Sequence, residues 1–372
     1  PGVMAAVAII GTLTALWAAL IATTQTDIKK VLAYSTVSQL GYMFVGVGAG
    51  AFFAGSMHLV THAFFKACLF LGSGSVIHGM HHEQDMTKMG GLRQKMPATA
   101  MTFLIATIAI TGVLPISGFI SKDEILAQVA NTGVYAQLSS LPHDQGFHFG
   151  FLGPVLYVVG SITALLTSFY MWRCYFMTFE GSYRGPSDHH PHESPGAMTL
   201  PLWILAGLSV VAVVLGLPEG WVHGFSWEHF TEGLFATPRG HEGHFLSHFV
   251  GYAIAIVVAW VGFFIARMNY VTATEGPARF TAAWPRLYKT LLNKLYVDEF
   301  YDFIIGTPLW KFAKGLWAVV DRVLIDGLLV NGPAQVVSFV GSMARRFQNG
   351  DVQRYAAVTA LGVAALVWVL LR

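Results

Sequence analysis

The sequence is poor in charge. Only 11% of its 372 residues are Asp, Glu, Lys or Arg, whereas 54% are hydrophobic, and the mean hydropathy is +0.56. A soluble domain carries roughly 25% charged residues. So few charges cannot cover the surface of a soluble chain of this length, which excludes a soluble enzyme and indicates a membrane protein. The net charge of +2 gives no reason to expect a nucleic-acid partner.

Cysteines and cofactor motifs are also scarce. The two cysteines, Cys68 and Cys174, lie in different apolar runs, so they predict no disulfide framework. The chain has no glycine-rich dinucleotide turn and no cysteine cluster, and we therefore expect it to bind no cofactor. It opens at Pro1 inside an apolar run, without an initiator Met. From this start we expect no cleavable signal peptide and a fragment of a longer protein.

Apolar runs long enough to cross a bilayer, about 17–25 residues each, recur along the chain. They predict an all-α, polytopic membrane protein. The predicted spans are about 2–23, 31–49, 52–78, 97–133, 151–179, 199–217, 248–268 and 352–371.

One of these runs, residues 97–133, is too long for a single crossing. As one helix it would extend about 55 Å, whereas the hydrocarbon core is about 30 Å thick. LPISG at 114–118 supplies Pro115 and Gly118, which interrupt a helix. We predict a discontinuous helix with halves of about 98–113 and 119–133. Irregular backbone at membrane depth must be buried in protein or line a wet cavity.

Residues 296–347 have a different pattern. Over 309–328 the charges recur at near-helical spacing, with apolar residues filling much of the other side. This predicts an amphipathic helix that lies along a surface rather than crossing the membrane. Gly332 and Pro333 predict an interruption, after which a shorter piece continues to Phe347.

The basic residues orient the predicted spans. When the loops are assigned alternately to two sides, all but four of the 22 Lys and Arg residues fall on one side. The exceptions are Arg239 and Arg372 on the other side, and Lys66 and Lys122 within the membrane. Loops rich in Lys and Arg stay in the cytoplasm, so the basic loops and the amphipathic helix are expected on the cytoplasmic side of a bacterial plasma membrane.

Three protonatable residues share one face of the span at 52–78. His58, His62 and Lys66 are spaced four apart, so they form a stripe about 12 Å long on a helix. A charged lysine at the middle of a span costs about 2.5–3.5 kcal/mol and usually has a function. Desolvation favours the neutral amine, and histidine exchanges protons at either ring nitrogen. The stripe therefore predicts a proton relay.

A metal site is the rival interpretation of the two histidines, since His at i and i+4 can bind zinc. Lys66 on the same stripe opposes a cation, and no carboxylate is near in sequence. We therefore expect no metal there. The histidine-rich loops, DHHPHESP at 188–195 and HEGH at 241–244, are typical of solvated surface, and the sequence predicts no role for them.

Lys122 and Asp123 follow the predicted helix break. Ser121 could cap a helix start and acids favour a first turn, which would explain Asp123. The same reasoning does not explain Lys122, because a cation is unfavourable at a helix N-terminus. Lys122 is therefore predicted to act with the stripe. Asp27 and Lys29, in TQTDIKK at 24–30, form either an ordinary basic anchor or a cytoplasmic gate.

Three segments carry a family resemblance. They are TQTDIKKVLAYSTVSQLGYMF, HLVTHAFFKACLFLGSGSVIHGMHHEQDMTKMGGLRQKMP and ISGFISKDEIL. Together they resemble the large antiporter-like subunit of proton-pumping NADH:quinone oxidoreductase, respiratory complex I. NKLYVDEFYDFIIGTPL resembles the lead into the lateral helix of that subunit, called subunit L in bacteria.

The resemblance implies a fold of inverted repeats, each with a discontinuous helix. Residues 1–180 would be the second repeat, 181–295 additional spans and loops, 296–347 the lateral helix and 348–372 a transmembrane anchor. Lys66, His58, His62, Lys122 and Asp123 would be relay residues, and Asp27 and Lys29 would match a charged cytoplasmic motif. NAD, FMN, iron–sulfur centres and quinone would be bound by other subunits. The partners would be other membrane-arm subunits, lipid and protons.

Two alternatives stay open. One is the large subunit of a multisubunit Na⁺/H⁺ antiporter, which has a similar HAxFKAxLF helix; the lateral helix favours complex I. The other is a structural clamp, in which the long surface helix holds neighbouring subunits of the membrane arm together. The clamp is compatible with pumping.

Overall fold

The computed structural model describes residues 2–113, 116–132, 151–187, 190–216, 227–231, 234, 247–272, 275–348 and 350–372. Every regular element in these ranges is helical, apart from an isolated bridge between Asp27 and Asp85. The all-α prediction is confirmed. The chain divides into two units, Pro1–Leu295 and Tyr296–Arg372.

The first unit contains the helices that carry the predicted relay. They are α1 (Gly2–Ala22), α2 (Ile28–Gly48), α3 (Phe52–Gly79), α4 (Pro97–Thr111), α5 (Ser117–Asn131), α6 (Leu152–Phe179), α7 (Gly196–Val211), α8 (Trp227–Thr231), α9 (His248–Arg267), α10 (Gly276–Ala283) and α11 (Pro285–Leu292). Short 3₁₀ turns at Met86–Lys88 and Ala212–Gly216 lie between them.

Within the described residues, seven helical stretches are long and apolar enough to cross a membrane. Five lie in the first unit: Gly2–Ala22, Phe52–Gly79, Leu152–Phe179, Gly196–Gly216 and Phe249–Thr272. Helix α2, a predicted span, falls below that hydropathy because it opens with two lysines and carries buried polar residues such as Ser38 and Gln39. The two halves of the broken helix are each too short to count alone.

The discontinuous helix is present. Helix α4 ends at Gly112, whose φ of +75° is the left-handed conformation that favours glycine. Helix α5 begins at Ser117, and a Cβ at Gly118 would overlap the carbonyl oxygen of Ala109, so the two halves approach closely only because residue 118 is glycine. Pro115 lies outside the described residues.

Small residues bring α1 and α2 together. A Cβ at Gly11 would lie 2.9 Å from the carbonyl oxygen of Gly41, and one at Gly41 would lie 2.7 Å from the backbone nitrogen of Ala15. Such small residues allow close backbone contact between membrane helices. Of the pair, α2 packs against α3 and α5, whose polar side chains are buried there, and α1 packs against α6.

The second unit begins at an unusual turn. Lys294, Leu295 and Tyr296 all have φ between +56° and +59°, a left-handed conformation that is rare for residues other than glycine. Helix α12 (Val297–Tyr301) follows, then α13 (Thr307–Leu316), α14 (Gly332–Phe347) and α15 (Val352–Leu370), with π-helical stretches at Asp302–Gly306 and Trp317–Asn331. None of the described residues of this unit is buried.

The predicted interruption at Gly332 and Pro333 is wrong. Asn331 and Gly332 both have right-handed helical dihedral angles, and Pro333 lies in the first turn of α14. Proline is tolerated there because the N–H groups of a first turn have no partner within the helix. Within the candidate span Lys294–Arg346, the chain is helical from Val297 onward, beyond the turn at Lys294–Tyr296. At 1.5 Å per residue this helical part would extend about 75 Å, far more than a single crossing requires.

Candidate functional site

Helix α3 presents the predicted stripe to the interior of the first unit. His58, His62 and Lys66 are all buried, with exposed fractions of 0%, 7% and 4%. The ring centroids of His58 and His62 are 6.1 Å apart, as expected for residues four apart on one helical face. The stripe faces the protein interior, so Lys66 does not snorkel to a membrane surface.

Lys66 is held by backbone rather than by a carboxylate. Its Nζ donates to the carbonyl oxygen of Leu32 in α2 at 2.7 Å and lies 5.2 Å from the ring centroid of Phe70. Among the described residues it forms no ion pair. A buried ammonium without a fixed counter-ion is less costly to deprotonate than a paired one. This arrangement suits a group that changes charge.

His58 connects α3 to α2 and α5. Its Nδ1 lies 2.9 Å from the hydroxyl of Ser121, and its Nε2 lies 3.2 Å from the amide oxygen of Gln39. An amide oxygen only accepts, so the Nε2–H donates to Gln39. In neutral His58 the Nδ1 lone pair can then accept from the Ser121 hydroxyl, whose other acceptor is the Ser117 carbonyl at 3.3 Å. The hydroxyl of Thr61 lies 3.1 Å from that of Ser121. His58 therefore exchanges protons most readily on its Ser121 side.

His62 lies between the other two members of the stripe. Its ring packs edge-on against Phe65 with centroids 5.4 Å apart, and its Nε2 is buried with no hydrogen-bond partner among the described residues. A buried polar nitrogen without a partner is unusual and marks either a trapped water or a transfer step. His62 can accept a proton there from a water molecule or a moving amine.

Lys122 donates a hydrogen bond across the break in the discontinuous helix. Its Nζ donates to the carbonyl oxygen of Ile110 at 2.9 Å and lies 5.5 Å from the ring centroid of Tyr42. Ile110 is in the last turn of α4, where carbonyl groups lack intrahelical partners and the helix dipole is negative. The carbonyl end of one half-helix thus stabilises a cation carried by the other half-helix.

A small cavity adjoins Lys122. It measures about 30 Å³, enough for one or two water molecules. It is lined by Thr111, Gly112, Gly118, Phe119, Lys122, Asp123, Leu126, Tyr157, Ser161, Ala164, Ile254, Ala255 and Val258. The Oδ2 atom of Asp123 is buried without a hydrogen-bond partner among the described residues. Asp123 and Lys122 are therefore placed to share water at the helix break.

The predicted cap at Ser121 is wrong. Helix α5 begins four residues earlier, at Ser117, and its N-cap is Ile116 in an extended conformation. Ser121 therefore lies inside the helix. Its hydroxyl contacts His58 instead, so Lys122 and Asp123 belong to the second turn rather than to a helix start.

Asp27 and Lys29 have separate positions. Asp27 caps α2: its Oδ1 accepts from the backbone N–H groups of Lys29 at 2.8 Å and Lys30 at 3.2 Å. The side chain of Lys29 is exposed. Thus the structure gives Asp27 a local capping role. It brings neither residue into contact with the α3 stripe.

Asp27 forms an isolated bridge with Asp85, and the loop that contains Asp85 is stabilised by a charged side chain. Ile28 donates through its backbone N–H to the carbonyl of Gln84 at 3.0 Å. Next to Gln84, the backbone N–H of Asp85 and the ammonium of Lys88 hold the pKa of Glu83 below its ordinary value. The ionised Glu83 carboxylate therefore stabilises the loop that positions the start of α2.

Arg173 departs from the sequence-based expectation. The sequence groups it with the loop charges, but it lies within α6 and is 5% exposed. Its Nη1 donates to the carbonyl of Gln25 at 2.7 Å and its Nε to the hydroxyl of Tyr270 at 3.0 Å. The guanidinium is buried because it ties the turn before α2 to α6 and the end of α9.

Sequence reasoning missed three uncharged members of the site: Gln39, Thr61 and Ser121. Their residue types are common in helices, and only the packing of α2 and α5 on α3 gives them a role. A polar residue every few positions in α2, a helix with low hydropathy, is the one signal that could have indicated a buried polar face.

The described residues include no group of three His, Cys, Asp or Glu placed to hold a metal ion.

Comparisons with known proteins agree on the class of membrane protein. Residues 1–143 match the family described as NADH:quinone oxidoreductase/Mrp antiporter, TM. The chain is 40% identical over 397 residues to NAD(P)H-quinone oxidoreductase chain 5 of Picosynechococcus sp., covering 99% of this chain and 56% of that protein. It is 37% identical over 438 residues to NADH-quinone oxidoreductase subunit L of Rhodobacter capsulatus, covering 97% and 58%.

The chain thus spans a little over half the length of these curated relatives. Among solved structures, it is similar to a chain of the Mrp complex from Dietzia sp. DQ12-45-1b, with a TM-score of 0.48 and 20% identity. That match covers 97% of this chain and 33% of the other.

Proposed function

We propose that the chain belongs to the NADH:quinone oxidoreductase/Mrp antiporter transmembrane family and that it carries a proton relay of a membrane subunit of NADH:quinone oxidoreductase. The subunit would be a non-redox part of a translocase. NAD, FMN, iron–sulfur centres and quinone would be bound by other subunits, whose electron transfer drives the protons.

One observation carries the proposal: two buried lysines, Lys66 and Lys122, bond to backbone carbonyls and form no ion pair among the described residues. A permanently charged structural lysine would require a counter-ion to offset its desolvation. A lysine that alternates between charged and neutral forms requires only a hydrogen-bond acceptor for its protonated state.

The proposed path follows the order of the residues along α3. A proton on Lys66 passes to His62 and then to His58, whose Nδ1 faces Ser121. The Ser121 hydroxyl lies on the helix that carries Lys122, and Lys122 and Asp123 adjoin the small cavity at the helix break. Asp27 and Lys29 are proposed to lie at the cytoplasmic entry, on the side that holds most of the basic residues.

The alternative ion is sodium. The unpartnered Oδ2 of Asp123, beside a cavity lined by Thr111, offers oxygen ligands of the kind a hard cation prefers. This favours a Na⁺/H⁺ antiporter as the second candidate. Lys122 lining the same cavity opposes it, because an ammonium next to a bound cation is repelled.

The experiment uses inverted membrane vesicles that contain the complete complex. NADH is added, and acidification of the vesicle interior is followed with a pH-sensitive dye in sodium-free buffer and again with added Na⁺. Proton uptake that does not depend on Na⁺, and that Lys66→Met and Lys122→Met abolish, is the expected result. Uptake that requires Na⁺ would instead support the antiporter.

The second unit is proposed to act as a lateral helix that contacts other membrane-arm subunits, with Val352–Leu370 as its membrane anchor. Most of its described residues are exposed although many are large and apolar, including Trp310, Phe312 and Leu316. Exposed apolar surface of this size is typical of a lipid or protein contact.

Deleting 309–372 should release or destabilise the subunit. A stable complex that no longer pumps would favour a moving coupling element over a clamp.

A further inference from the structure

A short piece of the histidine-rich loop is fixed onto the relay helices. Residues His192, Glu193 and Ser194, which we call the 192–194 clasp, lie against the end of α3 and the start of α4. Glu193 Oε2 accepts from the backbone N–H groups of Ala98 at 2.8 Å and Thr99 at 3.2 Å. Its Oε1 accepts from the hydroxyl of Thr99 at 2.6 Å.

Glu193 thereby caps α4 from a distant part of the chain. Met96, the residue at the N-cap position, makes no side-chain capping bond, and Pro97 follows it. The first N–H groups of a helix need an outside acceptor, and a carboxylate also complements the positive end of the helix dipole. The contact joins residues 94 and 95 positions apart.

The clasp also holds α3. The hydroxyl of Ser75 on α3 donates to that of Ser194 at 2.7 Å, and the hydroxyls of Ser75 and Thr99 lie 2.7 Å apart. A Cβ at Gly79 would overlap the carbonyl oxygen of His192, so the clasp packs directly on the α3 backbone. The ring of His192 lies 5.8 Å from that of His78. One segment therefore joins the helix of Lys66 to the first half of the broken helix.

Lys122 binds the opposite end of α4, through the carbonyl oxygen of Ile110. Helix α4 is 15 residues long, so Thr99 and Thr111 lie about 18 Å apart at 1.5 Å per residue. The carboxylate of Glu193 lies at the positive end of its dipole and the ammonium of Lys122 at the negative end, bonded to Ile110. A helix of four turns moves as a rigid body, so freedom at one end shifts the other.

We propose that Glu193 is a positioning residue for Lys122: by fixing the start of α4 against α3, it holds the Ile110 carbonyl where the Lys122 ammonium binds it. The inference rests on the proposed function for its effect on pumping, but the placement of α4 can be measured separately. It assigns a role to a loop whose sequence is typical of solvated surface.

Two substitutions at one position test it. Glu193→Gln keeps an amide oxygen that can accept from the Ala98 and Thr99 N–H groups, whereas Glu193→Ala removes the acceptor of both N–H groups and leaves the Thr99 hydroxyl with Ser75 alone. In the assembled complex we expect Glu193→Ala to lower the protons translocated per NADH oxidised, because losing one helix cap shifts the equilibrium between the fixed and the released start of α4 by about fivefold. Glu193→Gln should keep most of the ratio.

The matched control is Glu180→Ala. Glu180 is an acid on the same side of the bundle that pairs with Arg93 at 3.1 Å and touches neither α3 nor α4 in that ion pair. Its loss should leave the ratio unchanged. A wild-type ratio in an assembled Glu193→Ala complex, or a Glu193→Gln complex as impaired as Glu193→Ala, would overturn the inference.

A second measurement follows the accessibility of residue 111, at the end of α4, and does not depend on pumping. Thr111 is buried beside the small cavity, and the natural cysteines Cys68 and Cys174 are buried as well. A Thr111→Cys complex is treated with a water-soluble maleimide, and labelling of this subunit is compared with that of the wild-type subunit. Adding Glu193→Ala should speed labelling of residue 111, and adding Glu193→Gln should not.

The two measurements distinguish failure of the proposed relay from failure of the proposed role of Glu193. If labelling responds as expected but Lys122→Met leaves proton translocation intact, the positioning of α4 stands and the proposed relay is wrong. If labelling at residue 111 is the same with Glu193→Ala, the clasp holds only the local helix start and the inference is wrong, whatever pumping does.

Discussion

Replacing Lys66 by Met is the most direct perturbation of the proposed relay. Methionine has a similar length and is fully apolar, so the change removes the charge while largely filling the same space. The hydrogen bond from Nζ to the Leu32 carbonyl is lost, but that oxygen also accepts from the hydroxyl of Thr36 at 3.0 Å and is not left without a donor.

The expected effect on stability is small. Losing a hydrogen bond to a charged group costs about 1.5–3 kcal/mol. Removing a lysine from the membrane interior recovers about 2.5–3.5 kcal/mol on insertion scales. The two nearly cancel, so the net change is expected within about 1–2 kcal/mol and the subunit should still assemble.

The expected effect on function is large. Methionine neither accepts nor releases a proton, and no other lysine lies on α3. We expect NADH-driven proton uptake to fall at least about tenfold, which corresponds to about 1.4 kcal/mol on the barrier. Uptake is followed in inverted vesicles, and assembly of the subunit into the complex is checked on native gels.

Lys30→Met is the matched control, since it makes the same substitution at an exposed lysine on α2. It should pump as the wild type does. A fully assembled Lys66→Met complex that translocates protons at the wild-type rate would refute the reasoning, because the buried amine would then be structural.

Three further outcomes are expected. Lys122→Ala should impair pumping strongly and Lys122→Arg should spare part of it, because arginine can still donate to the Ile110 carbonyl but does not release its proton; equal activity of the two would count against this account. Gln39→Leu should lower pumping severalfold without preventing assembly, since His58 loses the acceptor that holds its tautomer, and Ser38→Ala on the same helix serves as its control. Gly118→Ala should destabilise the subunit, seen as a loss of assembled complex on native gels, because the methyl group would overlap the Ala109 carbonyl; normal yield would show that the half-helices can separate.

The sequence predicts what depends on charge and chain length. Lys66 and Lys122 stand out because a lysine in an apolar run is costly, and the helix break follows from proline and glycine in a run too long for one crossing. Both features are local, and a single helix suffices to recognise them.

Other parts of the site depend on packing between distant segments. Gln39 and Ser121 meet at His58 across three helices, and neither residue type is unusual where it occurs. Glu193 caps a helix that begins almost 100 positions earlier, within a loop whose composition indicates solvent exposure. Arg173 is buried by its contacts with Gln25 and Tyr270, which no local pattern reveals.

Both lysines of the proposed relay donate to main-chain carbonyls, those of Leu32 and Ile110. Every amino acid supplies the same carbonyl group, so no codon change at either position deletes the acceptor. A saturation mutagenesis screen would therefore score positions 66 and 122 as intolerant while accepting many apolar residues at 32 and 110. The acceptor of each contact is a backbone carbonyl, so amino-acid substitution cannot remove it. Replacing the peptide bond after Ile110 with an ester weakens that carbonyl as an acceptor and would test the contact directly.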